Sequence, residues 1–300
     1  RGQQPRLRHG AHLLKSETGL QLFDEGLLRL FAMQFSPPRA PSPSFSLPHI
    51  GPQTALFLDF DGTLADLAPQ PEAVQITAEL VPTLAQVAAQ LNGALAIVSG
   101  RQLSELDGFL APLQLPTAAE HGAQCRLPPG EVVRLAAPDL TEVARLATAL
   151  AEQHAGLRVE VKTAAVALHY RHAAGLQALC LQVMLDAASR APGLELLRGK
   201  YVFEVKPVGV SKGTAIAAFM AQAPFSGRLP LFAGDDATDE AGFAAVQLLG
   251  GQSIKIGEGA TLAHYRCATP AAFRQWLQAG SQRLVATPHQ QENPMRKSKP

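Results

Sequence analysis

The chain of 300 residues has no excess of charge of either sign: 26 Lys+Arg stand against 25 Asp+Glu, a formal net charge of +1. A dedicated nucleic-acid binder or a polybasic membrane binder carries a net basic excess or a basic stripe, so neither partner is expected. No run of 18 uninterrupted apolar residues occurs, so no segment meets the length of a bilayer-crossing helix. Cysteine is scarce. Cys125, Cys180 and Cys267 are odd in number, far apart and without paired metal-ligand spacing, which argues against a disulfide framework and against a Cys-ligated zinc. They are expected as buried thiols in a reducing cytoplasm. No internal repeat is evident.

What is present suffices for a large core: 47% of residues are apolar and 17% charged, and the length suits one large or two medium domains. The first 50 residues differ in grain. Position 1 is Arg, the first methionine is Met33, and Pro37, Pro38, Pro41, Pro43, Pro48 and Pro52 crowd one stretch, a composition of extended linker. Glu17, Asp24 and Glu25 count against a targeting peptide, which avoids acids. Residues 1–52 are therefore expected to be a disordered or non-native extension, with the natural start at or near Met33, and residues 285–300 a disordered tail. Between the basic ends, residues 51–284 carry 17 basic and 21 acidic side chains.

From Ala55 onward short apolar runs alternate with amphipathic segments. Residues 55–60 and 94–99 read as buried parallel strands, with Leu80, Leu84, Val87 and Leu91 marking a helix between them, which is a βαβ unit. From 131 to 207 the order becomes αββαββ, opened by a capping box at Asp139 and Glu142. Adjacent strands there suggest an antiparallel sheet with helices on one face. Parallel grain then resumes through residues 229–233 and 253–256. The expected fold class is α/β, a parallel-sheet core (53–130 and 208–284) interrupted by an inserted α+β domain (131–207).

The acids sit where strands end. Asp59-Phe-Asp-Gly-Thr63 closes the first strand, Ser99-Gly-Arg101 the second, Ser211-Lys-Gly213 opens a helix, and Gly234-Asp-Asp-Ala-Thr-Asp-Glu240 follows a later strand. In open α/β sheets ligands bind beyond the carboxyl ends of strands. Taken singly, each motif has a plainer reading: a turn at Gly62, a cap at Ser99, a solvated helix start at Lys212, helix N-terminal charges at the acidic run. Together, in this order, they form a phosphoryl-transfer set. It holds a carboxylate nucleophile, a second carboxylate for acid/base work, a hydroxyl and a lysine for phosphate, and acids for a cation. Oxygen-only ligands point to Mg²⁺ rather than zinc.

The ordered set DFDGT, VSGR, SKG and GDDATDE resembles the haloacid dehalogenase (HAD) superfamily of phosphatases over residues 54–280, which implies a HAD-like Rossmannoid core with an inserted cap. The resemblance implies that Asp59 attacks phosphorus to form an aspartyl-phosphate and that Asp61 protonates the leaving oxygen and then activates water. It implies Mg²⁺ on Asp59, the Asp61 carbonyl and Asp235, with Asp239 in support, and phosphate on Thr63, Ser99 and Lys212.

Glu120-His-Gly122, Val159-Glu-Val-Lys162 and Phe203-Glu-Val-Lys-Pro207 are similar to trehalose-6-phosphate phosphatases. That similarity implies Glu160, Lys162 and Glu204 on the sugar hydroxyls, with Arg101 and His121 also on the substrate side, and a trehalose-6-phosphate synthase as pathway partner. A satisfied structural histidine is the alternative for His121, and an exposed charged strand face is the alternative for His169, Arg171, Lys200 and Lys206. The rival substrates are sucrose 6-phosphate and mannosyl-3-phosphoglycerate. The rival class is a catalytically silent sugar-phosphate sensor, disfavoured by intact Asp59, Asp61, Lys212 and Asp235.

Overall fold

A computed structural model of the chain describes residues 46–136 and 138–286. The expectations for residues 1–45, including a start near Met33, and for the tail from 287 lie outside the described residues.

In chain order the first strands are β1 (Thr54–Leu58), β2 (Leu95–Val98), β3 (Thr117–Ala119), β4 (Gln124–Leu127) and β5 (Glu131–Arg134). Next come β6 (Arg158–Val161), β7 (Val166–His169), β8 (Leu194–Gly199) and β9 (Val202–Pro207), and last β10 (Leu229–Gly234), β11 (Gln252–Ile256) and β12 (Tyr265–Cys267). The main sheet runs β12-β11-β10-β1-β2-β3-β4-β5. It is parallel from β12 to β3 and turns antiparallel at β4 and β5. All five residues of β1 are buried, the condition of a central strand covered on both faces and the reason its sequence is a continuous apolar run.

Helices α1 (Leu80–Gln90) and α2 (Leu103–Leu110) follow β1 and β2; α3 (Thr141–Gln153) and α4 (Gln177–Ser189) belong to the inserted unit; α5 (Lys212–Met220), α6 (Glu240–Leu248) and α7 (Pro270–Ala286) complete the chain. Helix α1 packs beside α7 and α5 beside α6. Phe57 of β1 stacks on Phe225 with ring centroids 5.3 Å apart and tilts against Phe219 of α5 at 6.1 Å, so aromatic area anchors the sheet to its helices.

The inserted unit is a four-stranded antiparallel sheet, β6-β7-β9-β8, with α3 and α4 on one face. Val143, Ala147, Leu150, Cys180 and Met184 of those helices bury against Val166, Leu168, Phe203 and Val205. Because side chains alternate along a strand, the intervening Glu160, Ala167, His169 and Glu204 all take the other face. The α/β class, with a mainly parallel sheet and a separate antiparallel sheet in αββαββ order, agrees with the expectation from the sequence.

Two boundaries and one helix cap differ from that expectation. Residues 131–134 pair with 124–127 as the edge of the main sheet, so the inserted unit starts after β5; a four-residue amphipathic strand carries too little signal to be told from a loop. The chain also joins the fold before residue 53. Ile50 is buried, a Cβ on Gly280 of α7 would touch its side chain, and the Trp276 indole N–H donates to the Pro48 carbonyl at 3.1 Å. Finally, the Asp139–Glu142 capping box does not close. Asp139 accepts from Thr141 N at 3.0 Å, while Glu142 pairs with Arg145 one helical turn on, at 2.7 Å.

All three cysteines are free and buried. Among the described residues no helix is long and apolar enough to cross a membrane.

Candidate active site

The carboxyl ends of β1, β2 and β10 converge, since β1 lies between the other two. Asp59 follows β1, Ser99 follows β2 and Asp235 follows β10. Lys212 is the first residue of α5, whose start is fixed by Ser211 Oγ accepting from Thr214 N at 3.1 Å, an N-cap that leaves the helix dipole facing the sheet edge. Lys212 Nζ donates to Asp59 Oδ1 at 2.7 Å and to Asp239 Oδ1 at 2.6 Å, with all three side chains buried. The other Asp239 oxygen accepts from the Asp235 and Asp236 amides at 3.0 and 2.9 Å. Asp239 thereby holds the loop through one oxygen and Lys212 through the other.

Lys212 faces a cluster of three acids, and Lys255 lies beside Asp235. Carboxylate oxygens of Asp59, Asp235 and Asp239 lie within 4.8 Å of one another. Burial, reinforced by Asp239 and Asp235, pushes the Asp59 carboxyl well above its ordinary range despite the pull of Lys212. Burial, then Asp239 and Asp236, pushes Asp235 up to about 7. Lys212 is pulled down by burial, yet Asp239 and Asp59 hold it above an ordinary lysine. Crowded, desolvated carboxylates of this kind are relieved by a hard cation with oxygen ligands. The donor set therefore fits a divalent cation. Gly62 shapes the same cluster: its φ is +76°, and a Cβ there would fall 2.2 Å from Asp235 Oδ2, so only glycine admits that carboxylate beside the 61–62 backbone.

The Asp61 side chain stands apart from the three-acid cluster. Arg101 grips it in a fork, Nε to Oδ2 at 2.7 Å and the second guanidinium nitrogen to Oδ1 at 2.8 Å, and also reaches Glu105 at 3.4 Å. Phe60 and Phe109 flank the guanidinium, with centroids 5.8 and 5.0 Å from it. Arg101 thus holds the second aspartate while lining the cavity at this edge. Ser99 is buried and accepts from the Arg101 amide at 3.2 Å. Thr63 is fully buried, and its Oγ1 has no hydrogen-bond partner among the described residues.

The polar face of the inserted sheet closes this edge. A cavity of about 410 Å³ is lined by Asp59, Asp61, Ser99, Lys212 and Asp235 from one side and by Glu160, Lys162, His169, Arg171, Lys200 and Glu204 from the other. Lys162 Nζ donates to Glu204 Oε2 at 2.7 Å and to the Gly100 carbonyl at 3.0 Å. Glu160 meets His169 Nε2 at 2.9 Å. Glu204 is buried, its second oxygen Oε1 has no hydrogen-bond partner among the described residues, and Lys162 holds its carboxyl low against the upward push of burial. His121 sits beside it at 3.6 Å but burial pushes that ring down to about 3, so at neutral pH the contact is not an ion pair. A Cβ on Gly100 would meet the His121 ring at 2.7 Å, which seats the imidazole on the Ser99-Gly-Arg101 loop. Lys206 is absent from the cavity: it is buried against Glu195 of the adjacent strand and the Val210 carbonyl.

The Asp61–Arg101 fork spans 40 residues and the Glu160–His169 pair nine. Lys255 of β11 donates to the Asp235 carbonyl and was not singled out from sequence; a lysine between two isoleucines of a buried strand was the available signal.

The trehalose-phosphatase family model matches residues 57–271. The chain is 42% identical over 241 residues to the trehalose-6-phosphate phosphatase of Escherichia coli (strain K12), a match covering 79% of this chain and 90% of that protein. Among solved structures, the C-terminal domain of C. albicans trehalose-6-phosphate phosphatase superposes with a TM-score of 0.70 at 21% identity, covering 77% of this chain and 93% of that one. A HAD-superfamily phosphatase from Bacteroides thetaiotaomicron superposes with a TM-score of 0.53 at 17% identity, over 78% and 96%. These two likenesses are of fold.

Proposed function

The chain belongs to the trehalose-phosphatase family, and from that membership we propose that it hydrolyses trehalose 6-phosphate to trehalose and phosphate through an aspartyl-phosphate on Asp59. It is a phosphoric monoester hydrolase of the HAD fold. The observation that carries the chemical reading is the buried Lys212 bridging Asp59 and Asp239 at 2.7 and 2.6 Å: a carboxylate oriented by a fixed cation at the carboxyl end of the central strand.

Mg²⁺ on Asp59, Asp235 and the Asp61 carbonyl, with Asp239 in support, would neutralise charge on the phosphoryl oxygens. Lys212 holds Asp59 in one rotamer and offers its remaining proton to a phosphoryl oxygen, with the Ser99 and Thr63 hydroxyls as further donors. Asp59 attacks phosphorus and the P–O bond to the sugar breaks. Asp61 gives its proton to the departing sugar oxygen, then takes one from the water that cleaves the acyl phosphate. For that exchange the Arg101 fork must loosen from the Asp61 carboxylate, so Arg101 is assigned to aiming Asp61 rather than to binding sugar.

Specificity is assigned to the inserted sheet as a cap. Glu160, Lys162 and Glu204 present charged acceptors and a donor to sugar hydroxyls, and Glu204 Oε1, without a hydrogen-bond partner among the described residues, is a buried acceptor suited to a hydroxyl donor. His121, neutral and beside Glu204, completes that wall. A cytoplasmic setting fits three reduced thiols. The experiment is phosphate release from trehalose 6-phosphate with and without Mg²⁺, in the unaltered chain and in Asp59→Asn. Turnover is expected only from the unaltered chain with the cation; undiminished release from Asp59→Asn would remove the nucleophile assignment.

A further inference from the structure

Glu120 belongs neither to the acid cluster nor to the sugar-facing sheet, yet its carboxylate is 2% exposed. A buried carboxylate is retained only where hydrogen bonds replace its water. Here both oxygens are used across the joint between the two sheets. Oε1 accepts from Thr163 N at 3.3 Å and Oε2 from Ala164 N at 2.9 Å. Those amides form the turn from β6 to β7, closed by Lys162 N donating to the Ala165 carbonyl at 2.8 Å.

The backbone on either side of this contact leads directly to the candidate active site. Glu120 N donates to the Arg101 carbonyl and His121 N to the Ser99 carbonyl, each at 2.9 Å, so residues 120–121 are stitched to the loop that carries Ser99. Glu120, His121 and Gly122 have φ of 47°, 59° and 111°, three successive left-handed residues of which only one is glycine, a conformation the surroundings must enforce. On the other side of the turn, Lys162 bonds Gly100 and Glu204. Ala164 is buried in a small cluster with Ala123 and Val210, and Val210 lies where the chain returns from the inserted sheet. A carboxylate suits a contact that opens and closes, because water satisfies it when the turn departs.

We propose that Glu120 is a positioning residue for sugar-phosphate hydrolysis: it docks the β6–β7 turn onto the Ser99–Arg101 loop and thereby sets Lys162 and Glu204 against the sugar. The proposal rests on the sugar-phosphatase reading above. It makes Glu120 matter for substrates that need the cap and little for one that does not.

The test uses the full chain with Glu120→Ala and Glu120→Gln, assayed with Mg²⁺ on trehalose 6-phosphate and on p-nitrophenyl phosphate, alongside amide hydrogen exchange at Thr163 and Ala164. In Glu120→Ala, kcat/KM for trehalose 6-phosphate falls about 10- to 100-fold, the factor carried by charge-assisted hydrogen bonds. Glu120→Gln, which keeps one acceptor, falls between Ala and the unaltered chain. Aryl phosphate turnover changes far less, and exchange at the two amides quickens in step with the lost specificity. Equal losses on both phosphates in a variant that melts like the unaltered chain, or unchanged exchange at Thr163 and Ala164, overturn the proposal. Should Glu120→Ala fail to fold, Glu120→Gln gives the same decision. If the unaltered chain does not hydrolyse trehalose 6-phosphate, the functional reading falls, and exchange alone then decides the docking contact.

Discussion

Replacing Lys212 with methionine keeps the aliphatic stem and removes the cation that, among the described residues, directly contacts both Asp59 and Asp239. What remains is a set of carboxylates within 4.8 Å of one another, with the bond of Asp59 to its partner gone. Breaking a buried pair by deleting one member costs about 3–5 kcal/mol, because the other charge stays buried and unpaired. For a body of this size, each kcal/mol shifts the melting temperature by roughly 2–4 °C, so Lys212→Met should melt about 6–20 °C lower in the presence of a chelator. The loss should be larger at pH 8 than at pH 5.5, since burial and mutual repulsion already raise Asp59 and Asp235 and protonation relieves the unpaired acids. Differential scanning calorimetry with and without a divalent cation measures all of this, and the cation should restore part of the loss. A variant that melts within about 2 °C of the unaltered protein in chelator at pH 8 would refute the view of Lys212 as the neutralising group of a repulsive cluster.

Two further consequences follow from the same structure. Asp235 is raised from 3.8 to about 7, so between those values its own contribution to the stability of the folded, metal-free protein falls as pH rises, against the opposite contribution of His121, whose ring is pushed down to about 3. Relative to Asp235→Asn in chelator, the unaltered chain should lose melting temperature from pH 5 to 7; a constant difference between the two would contradict the crowding. Ile50 is buried against α7, and Ile50→Ala should cost about 2–5 kcal/mol by chemical denaturation, whereas an unchanged midpoint would put residue 50 back outside the fold.

The motifs were legible because they are local: each combines a strand end with a few residues whose chemistry is fixed by type, and DFDGT, SGR, SKG and GDDATDE all land at one sheet edge. The αββαββ order was legible for a similar reason, through its switch from continuous to alternating apolar runs. Other features depend on partners far away in sequence. Strands β3 to β5 are three or four residues long, at most two periods of alternation, and exist through pairing. Ile50 sits between Pro48 and Pro52, whose composition reads as linker, while Trp276 and Gly280 decide its burial. Arg101 lines the cavity, and the carboxylate that holds its fork lies 40 residues upstream, beyond the reach of local spacing. Lys206 shares its strand face with Glu204, yet Glu195 directly across in the register claims it. Sequence spacing fixes the face of a strand, and the neighbouring strand fixes what that face meets.

The specificity of the cap is the claim on which the functional account turns. Its most direct measurement is kcat/KM with Mg²⁺ across trehalose 6-phosphate, sucrose 6-phosphate, mannosyl-3-phosphoglycerate and glucose 6-phosphate. A wall of buried charged groups that hydrogen-bond sugar hydroxyls predicts a preference of roughly 100-fold or more for trehalose 6-phosphate. Comparable values across the four phosphates would contradict it.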